Sequence, residues 1–193
     1  MVNIFHPHLT AEDSLACLDD RRLGKQRLEA LQIIRLLDSS VTVTRGFSRH
    51  PAVLSYRGYV PYLKLYYNAC LEEWCRRGKK NTMAPLPVEC EAPNGVVVPW
   101  FIPCVPRLMA DRAALLRKDP VWYGRQFASL NIPEYYHSLG YCWISKLTED
   151  QAARLKSWEE EDQEALAKEI CAPISKRAAS ARPCAGASVR RRG

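Results

Sequence analysis

The chain has 193 residues, 47% of them hydrophobic, and a formal net charge of +7. That length supports one compact domain with a core, plus an appendage. No run reaches the ~20 apolar residues that a membrane span needs, and the start MVNIFHPHLTAED lacks the basic-then-apolar pattern of a signal peptide. The expected setting is therefore intracellular, cytoplasmic or nuclear. Eight cysteines are present, none in a C-x-x-C pair and none with a histidine at zinc-finger spacing. They read as buried small apolar residues and stray thiols, and no metal site is expected.

The charge is segregated. Residues 1–147 carry 19 Lys and Arg against 13 Asp and Glu, residues 148–171 carry 3 against 8, and residues 172–193 carry 6 against none. A basic body, an acidic helix and a basic tail suit a nucleic-acid partner.

In chain order, residues 2–5 are a short apolar start and His6-Pro7-His8 is a loop. Thr10 followed by Glu12 and Asp13 has the form of a helix cap with acids in the first turn. A helical pattern then runs from about Ala11 to Leu37, with a possible break near Asp19-Asp20, and Leu23, Ala30, Leu31, Ile34 and Leu37 form its apolar stripe. Residues 41–51 are a loop. A second helix is predicted over about Pro61 to Arg77, built on Tyr62, Leu65, Tyr66, Ala69, Cys70 and Trp74 and stopped by Gly78. Prolines 85, 87, 93, 99 and 103 make residues 82–103 a loop. A third helix fits Val105 to Lys118, residues 121–147 are aromatic-rich and irregular, and a fourth helix starts after Thr148 and runs to about Ile170. The tail from Ala172 is Ala/Ser/Arg-rich and is expected to be disordered. The predicted fold class is all-α: a compact helical domain over 1–147, an acidic C-terminal helix over 148–171 and a disordered basic tail over 172–193.

Three constellations are candidates for chemistry. On a helix, Arg22, Lys25, Glu29 and Gln32 follow a 3-4-3 spacing and share one face, with Arg21 beside them. A carboxylate among cations suits anion binding with proton movement, and equally describes a solvated face with a routine Lys25–Glu29 pair. The segment Lys118-Asp119-Pro120-Val121-Trp122-Tyr123-Gly124-Arg125-Gln126-Phe127 interleaves aromatics with cations, a pattern that stacks on bases and holds phosphates or covers a core. Tyr62-x-x-x-Tyr66-Tyr67 at helical spacing reads as core. His50 precedes Pro51 in a basic loop.

Taken in order, Val2-Asn3-Ile4, Leu18-x-Asp20-x-x-Leu23 with Glu29, then His50, Tyr56, Leu71-Glu72-Glu73-Trp74-Cys75-Arg76-Arg77-Gly78, Arg107-Leu108 and Pro120-Val121-Trp122-Tyr123 resemble the pyrimidine-dimer DNA glycosylases of the phage endonuclease V type. The resemblance spans roughly residues 1–128. It implies a compact helical fold that flips a nucleotide from double-stranded DNA, cuts the glycosidic bond of a damaged pyrimidine and breaks the strand at the abasic site by β-elimination, as a monomer with no metal and no cofactor. The resemblance implies that the nucleophile is the α-amine of Val2, once Met1 is removed, and that Glu29 assists. Trp122 and Tyr123 match the aromatic pair near the family's C-terminus, and the candidate DNA-binding residues are Arg21, Arg22, Lys25, Gln32, His50, Arg117, Lys118, Trp122, Tyr123 and Arg125. Where phage members carry arginines beside the amine and around the glutamate, this chain has Asn3, Leu28 and Gln32. Arg21, Arg22, Lys25 and Arg27 can restore that charge from other positions.

The chemistry is reasonable in its own terms. An α-amine titrates near ~7.7–8.0 and a lysine near ~10.4, so at neutral pH the amine has far more of its neutral, nucleophilic form. A retained Met1 would displace it by up to ~3.6 Å, too far for a preorganised site. Two other readings of the same sequence are a non-catalytic nucleic-acid-binding module on the same fold and a helical protein whose acidic helix binds a partner. Lys176-Arg177 and Arg190-Arg191-Arg192, twelve residues apart, have the form of a bipartite nuclear-import signal or of a basic arm on DNA. Deleting 172–193 is expected to change either localisation or the salt dependence of DNA binding. If neither changes, both readings of the tail fail.

Overall fold

The computed structural model describes residues 3–38, 47–88, 95–138, 141–157 and 165–166. Its elements are α1 (Ala11–Ala16), α2 (Asp20–Leu37), α3 (Pro51–Ser55), α4 (Val60–Arg76), α5 (Val105–Lys118), α6 (Pro120–Gln126), two 3-10 turns (Glu134–Ser138 and Ile144–Lys146) and α7 (Glu149–Lys156). Among the described residues there is no strand, so the all-α expectation holds. None of the described helices is long and apolar enough to cross a membrane.

The pattern read over 11–37 is two helices. Thr10 caps α1 by accepting from the Asp13 N–H, and Asp19 caps α2 by accepting from the Arg22 N–H. An Asp in extended conformation offers its carboxylate to free helix N–H groups, so Asp19 starts the second helix two residues after Cys17 closes the first. The same carboxylate accepts from the Tyr123 hydroxyl at 2.6 Å, which ties the break to α6. Residues 120–126, expected to be irregular, form α6 for a similar reason. Pro120 stands in the first turn and Asp119 accepts from the Trp122 N–H. Thr148 and Gln151 form a reciprocal capping box at the start of α7. The end expected for that helix near Ile170, and the tail 172–193, lie outside the described residues.

Helices α2 and α4 form the principal packed pair, with α1 also against α4 and α5 against α6. Gly24 permits the close approach of the first pair. A Cβ there would meet the Trp74 ring at 3.3 Å, and the Arg27 guanidinium covers that ring at 3.9 Å. The predicted second helix is observed one residue earlier than expected, and Gly78 ends its turn with φ +72°. Tyr62, Tyr66 and Tyr67 are all buried, as read from their spacing.

The N-terminal segment is the least expected part of the interior. Asn3, Ile4, Phe5 and His6 are all buried, yet no neighbouring strand pairs with them. Side chains from three helices satisfy the backbone instead. From α2, Gln26 donates to the Asn3 carbonyl at 2.8 Å and accepts from the Phe5 N–H at 2.9 Å. From α4, the Tyr66 hydroxyl donates to the Phe5 carbonyl at 3.0 Å. From α5, Arg107 donates to the Ile4 carbonyl at 2.7 Å, and Asp111 accepts from the His6 N–H at 2.8 Å. Arg112 donates to the Pro7 carbonyl at 2.7 Å.

Arg107 and Asp111 are both buried and face each other at 3.4 Å. Removing one member of a buried pair leaves an uncompensated charge. Asp111→Ala is therefore expected to cost about 3–5 kcal/mol, checked by urea denaturation, with the N-terminal segment more open to proteolysis. A loss under 1 kcal/mol would refute the clamp.

Candidate active site

A cleft of about 160 Å³ opens where this segment meets α2 and the end of α5, and Asn3, Phe5, Arg21, Arg22, Lys25, Gln26, Glu29, Lys118 and Tyr141 line it. Among the described residues Glu29 is its one carboxylate, and it is 4% exposed. One oxygen, Oε2, faces the Asn3 N–H at 3.5 Å and accepts from Gln26 Nε2 at 3.1 Å. The other, Oε1, is buried without a hydrogen-bond donor. Lys25 Nζ stands 3.4 Å from it, from a side chain that is 56% exposed. This contact is an ion pair at the rim, and solvent weakens it.

Burial pushes the Glu29 carboxyl above its usual range, because desolvation penalises the charged form. Lys25 and the Asn3 N–H act in the opposite direction without cancelling it. The sequence reading placed Glu29 on a polar face. The structure buries it, and the face is polar because Gln26 and the N-terminal backbone are polar. Gln26 is the functional neighbour that the spacing argument missed. It is 1% exposed, and its amide binds Asn3, Phe5 and Glu29, while its Oε1 and the Phe5 carbonyl share the Tyr66 hydroxyl proton. A glutamine three residues before a carboxylate was its only trace in the sequence.

The residues assigned to DNA divide into three groups. Arg21, Arg22, Lys25 and Lys118 line the cleft, and Arg22 is held there by Asp19 at 3.8 Å and by the Lys118 carbonyl at 3.4 Å. Gln32, Arg117, Trp122 and Arg125 are exposed outside it. Of these, Arg117 donates to the His137 carbonyl at 2.9 Å, and the Trp122 indole N–H donates to the Cys17 carbonyl at 2.9 Å while its ring is 41% exposed. His50 and Tyr123 both make hydrogen bonds within the fold. His50 Nδ1 accepts from the Ala52 N–H and caps α3. Tyr123 is fully buried with its hydroxyl on Asp19, so it has no face to offer a base. Val2 lies outside the described residues.

This arrangement defines a class: a helical protein with a buried carboxylate in a cation-lined cleft beside its own N-terminal segment. Residues 2–85 match the family model described as pyrimidine dimer DNA glycosylase. The match supports the family resemblance over α1 to α4 and the Glu29 side of the cleft, and Lys118 and Tyr141 lie beyond it. No curated protein and no solved structure matches the chain.

The raised carboxyl has a thermodynamic consequence. The folded protein holds the Glu29 proton to a higher pH than the unfolded chain does. Stability from this group is therefore present at low pH and is lost as pH rises from the ordinary carboxylate range through the folded value. Glu29→Gln, which removes that ionisation, is expected to raise Tm at neutral pH. Side-chain carboxyl NMR should show Glu29 titrating above the other glutamates, and higher still in Lys25→Met. A Glu29 that titrates with the exposed glutamates would refute its desolvation.

Proposed function

We propose that the protein is a DNA glycosylase with abasic-site lyase activity, which excises damaged pyrimidines, UV pyrimidine dimers among them, from double-stranded DNA. The observation that carries this reading is the 3.5 Å approach of the Asn3 N–H to the buried Glu29 carboxylate within a cation-lined cleft. With Met1 removed, the α-amine belongs to the residue just before Asn3, and one residue of chain spans at most ~3.6 Å. Amine and carboxylate are then close enough to act on one sugar. The family match supports the glycosylase step.

In the proposed reaction the neutral amine of Val2 forms a bond to C1′ of the damaged nucleotide. The C1′–N bond breaks, and its electron pair leaves with the base, which takes up a proton. The sugar ring then opens as O4′ is protonated, which leaves a Schiff base between C1′ and the amine. Loss of a C2′ proton expels the 3′ phosphate by β-elimination, and water hydrolyses the imine to free the enzyme. Glu29 stabilises the positive charge that develops on the sugar and exchanges protons in the later steps. Its carboxyl, raised by burial above the usual range, holds a proton more readily than an exposed glutamate does, which suits a group that takes and returns one. The cations at the cleft hold the flanking phosphates.

Glu29→Gln is expected to lower glycosidic-bond cleavage and strand scission on dimer-containing DNA by at least about 100-fold while DNA affinity is retained. Borohydride should trap a covalent adduct of the wild-type protein with abasic-site DNA, and mass spectrometry should place the adduct on an N-terminal Val2. Full activity in Glu29→Gln would defeat this reading, and so would a retained Met1 or an acetylated Val2 in active protein. A non-catalytic DNA-binding module would then replace it.

A further inference from the structure

We propose that Tyr141 is the stacking wall of the cleft and holds a single planar nucleobase, extruded from the duplex, beside Glu29. The proposal rests on the glycosylase reading and adds to it a binding residue outside the matched segment 2–85.

Tyr141 lines the same cleft as Asn3, Lys25, Gln26 and Glu29 and is half-buried there. Its ring is braced by Phe5 at 6.2 Å between centroids and by Trp143 at 5.1 Å. Trp143 meets the edge of His50 at 5.4 Å, and His50 stacks on Phe47 at 4.5 Å. Five rings thus run from the buried N-terminal segment to the turn before α3, and Tyr141 is the member that reaches the cleft together with Phe5. Lys118 Nζ lies 6.0 Å from both of those rings. A ring already fixed by two neighbours loses little rotamer freedom when a base arrives. The nearby ammonium suits the phosphate of that nucleotide.

A paired base cannot enter such a cleft without leaving the helical stack. Once out, it needs a surface to replace the stacking it has lost. An aromatic wall supplies that for any planar base, because every base has a π-face. It does not supply it equally to pyrimidines joined through a saturated ring, which are puckered. The wall therefore selects planarity over base identity. The base it holds comes either from the damaged strand or from the opposite strand.

The test uses two duplexes with the fluorescent base 2-aminopurine. One carries it opposite a tetrahydrofuran abasic-site analogue, and the other carries it next to the analogue on the same strand. With wild-type protein, 2-aminopurine is expected to stay quenched in one of the two duplexes, and which one identifies the strand. Tyr141→Ala and Tyr141→Leu, the latter keeping apolar bulk without a π-face, should brighten that duplex several-fold and weaken its binding by about 10- to 100-fold. Tyr141→Phe should behave as wild type, and all variants should melt together. If Ala and Leu match wild type in fluorescence and affinity on both duplexes, the proposal is overturned. Glycosidic-bond cleavage on dimer-containing DNA is measured in parallel, read as the abasic sugar formed at the dimer. If wild type cuts no glycosidic bond while the Tyr141 dependence persists, the glycosylase reading fails and the stacking site stands. The opposite result removes the stacking site alone.

Discussion

The structure depends on the burial of a short extended segment at the start of the chain. Residues 3–6 carry backbone donors and acceptors into the interior without a strand to pair with. An unpaired buried backbone group costs as much as a lost hydrogen bond. The solution is to hold the segment with side chains, which requires Gln26, Tyr66, Arg107 and Asp111 to be buried polar groups themselves. Each helix that contributes one is fixed relative to the others by a shared partner. A segment that would otherwise fray becomes the hub on which α2, α4 and α5 converge.

That hub explains why a carboxylate can sit where Glu29 does. A lone buried glutamate would be neutralised or expelled. Here the Asn3 N–H and the Gln26 amide support one of its oxygens, and Lys25 lies near the other from the solvent side. The support is incomplete, so the group keeps its proton more readily than an exposed glutamate does. A purely structural position would not favour such an arrangement, since an uncharged residue of the same shape is easier to bury. Stability is given up here, and under the proposed function it is given up where a proton must be exchanged.

The cleft is also composite. Its floor comes from the segment that matches the family model, and its far wall comes from Lys118 and Tyr141, which lie beyond that match. The matched segment carries the carboxylate and the N-terminal segment, and the stretch beyond the match carries Lys118 and the aromatic surface of Tyr141.

Much of the fold was legible beforehand because local rules govern it. The apolar period placed α2, α4 and α5, and Pro, Gly, Asp and Thr punctuated them, because caps and breaks depend on residues within one turn. The cation-rich face around Glu29 was equally visible, since residues three and four apart on a helix must be neighbours. Three matters were decided only by tertiary packing. The sequence could not separate a solvated Glu29 from a buried one, because its burial comes from a segment 26 residues away. It could not tell that Tyr123 serves Asp19 while Trp122, beside it, keeps an open face, because adjacent helical residues point in different directions and only the docking of α6 chooses between them. Nor could it mark Tyr141 as part of the cleft. Aromatic residues look alike in sequence whether they fill a core or line a site, and only the course of the chain between them settles which they do.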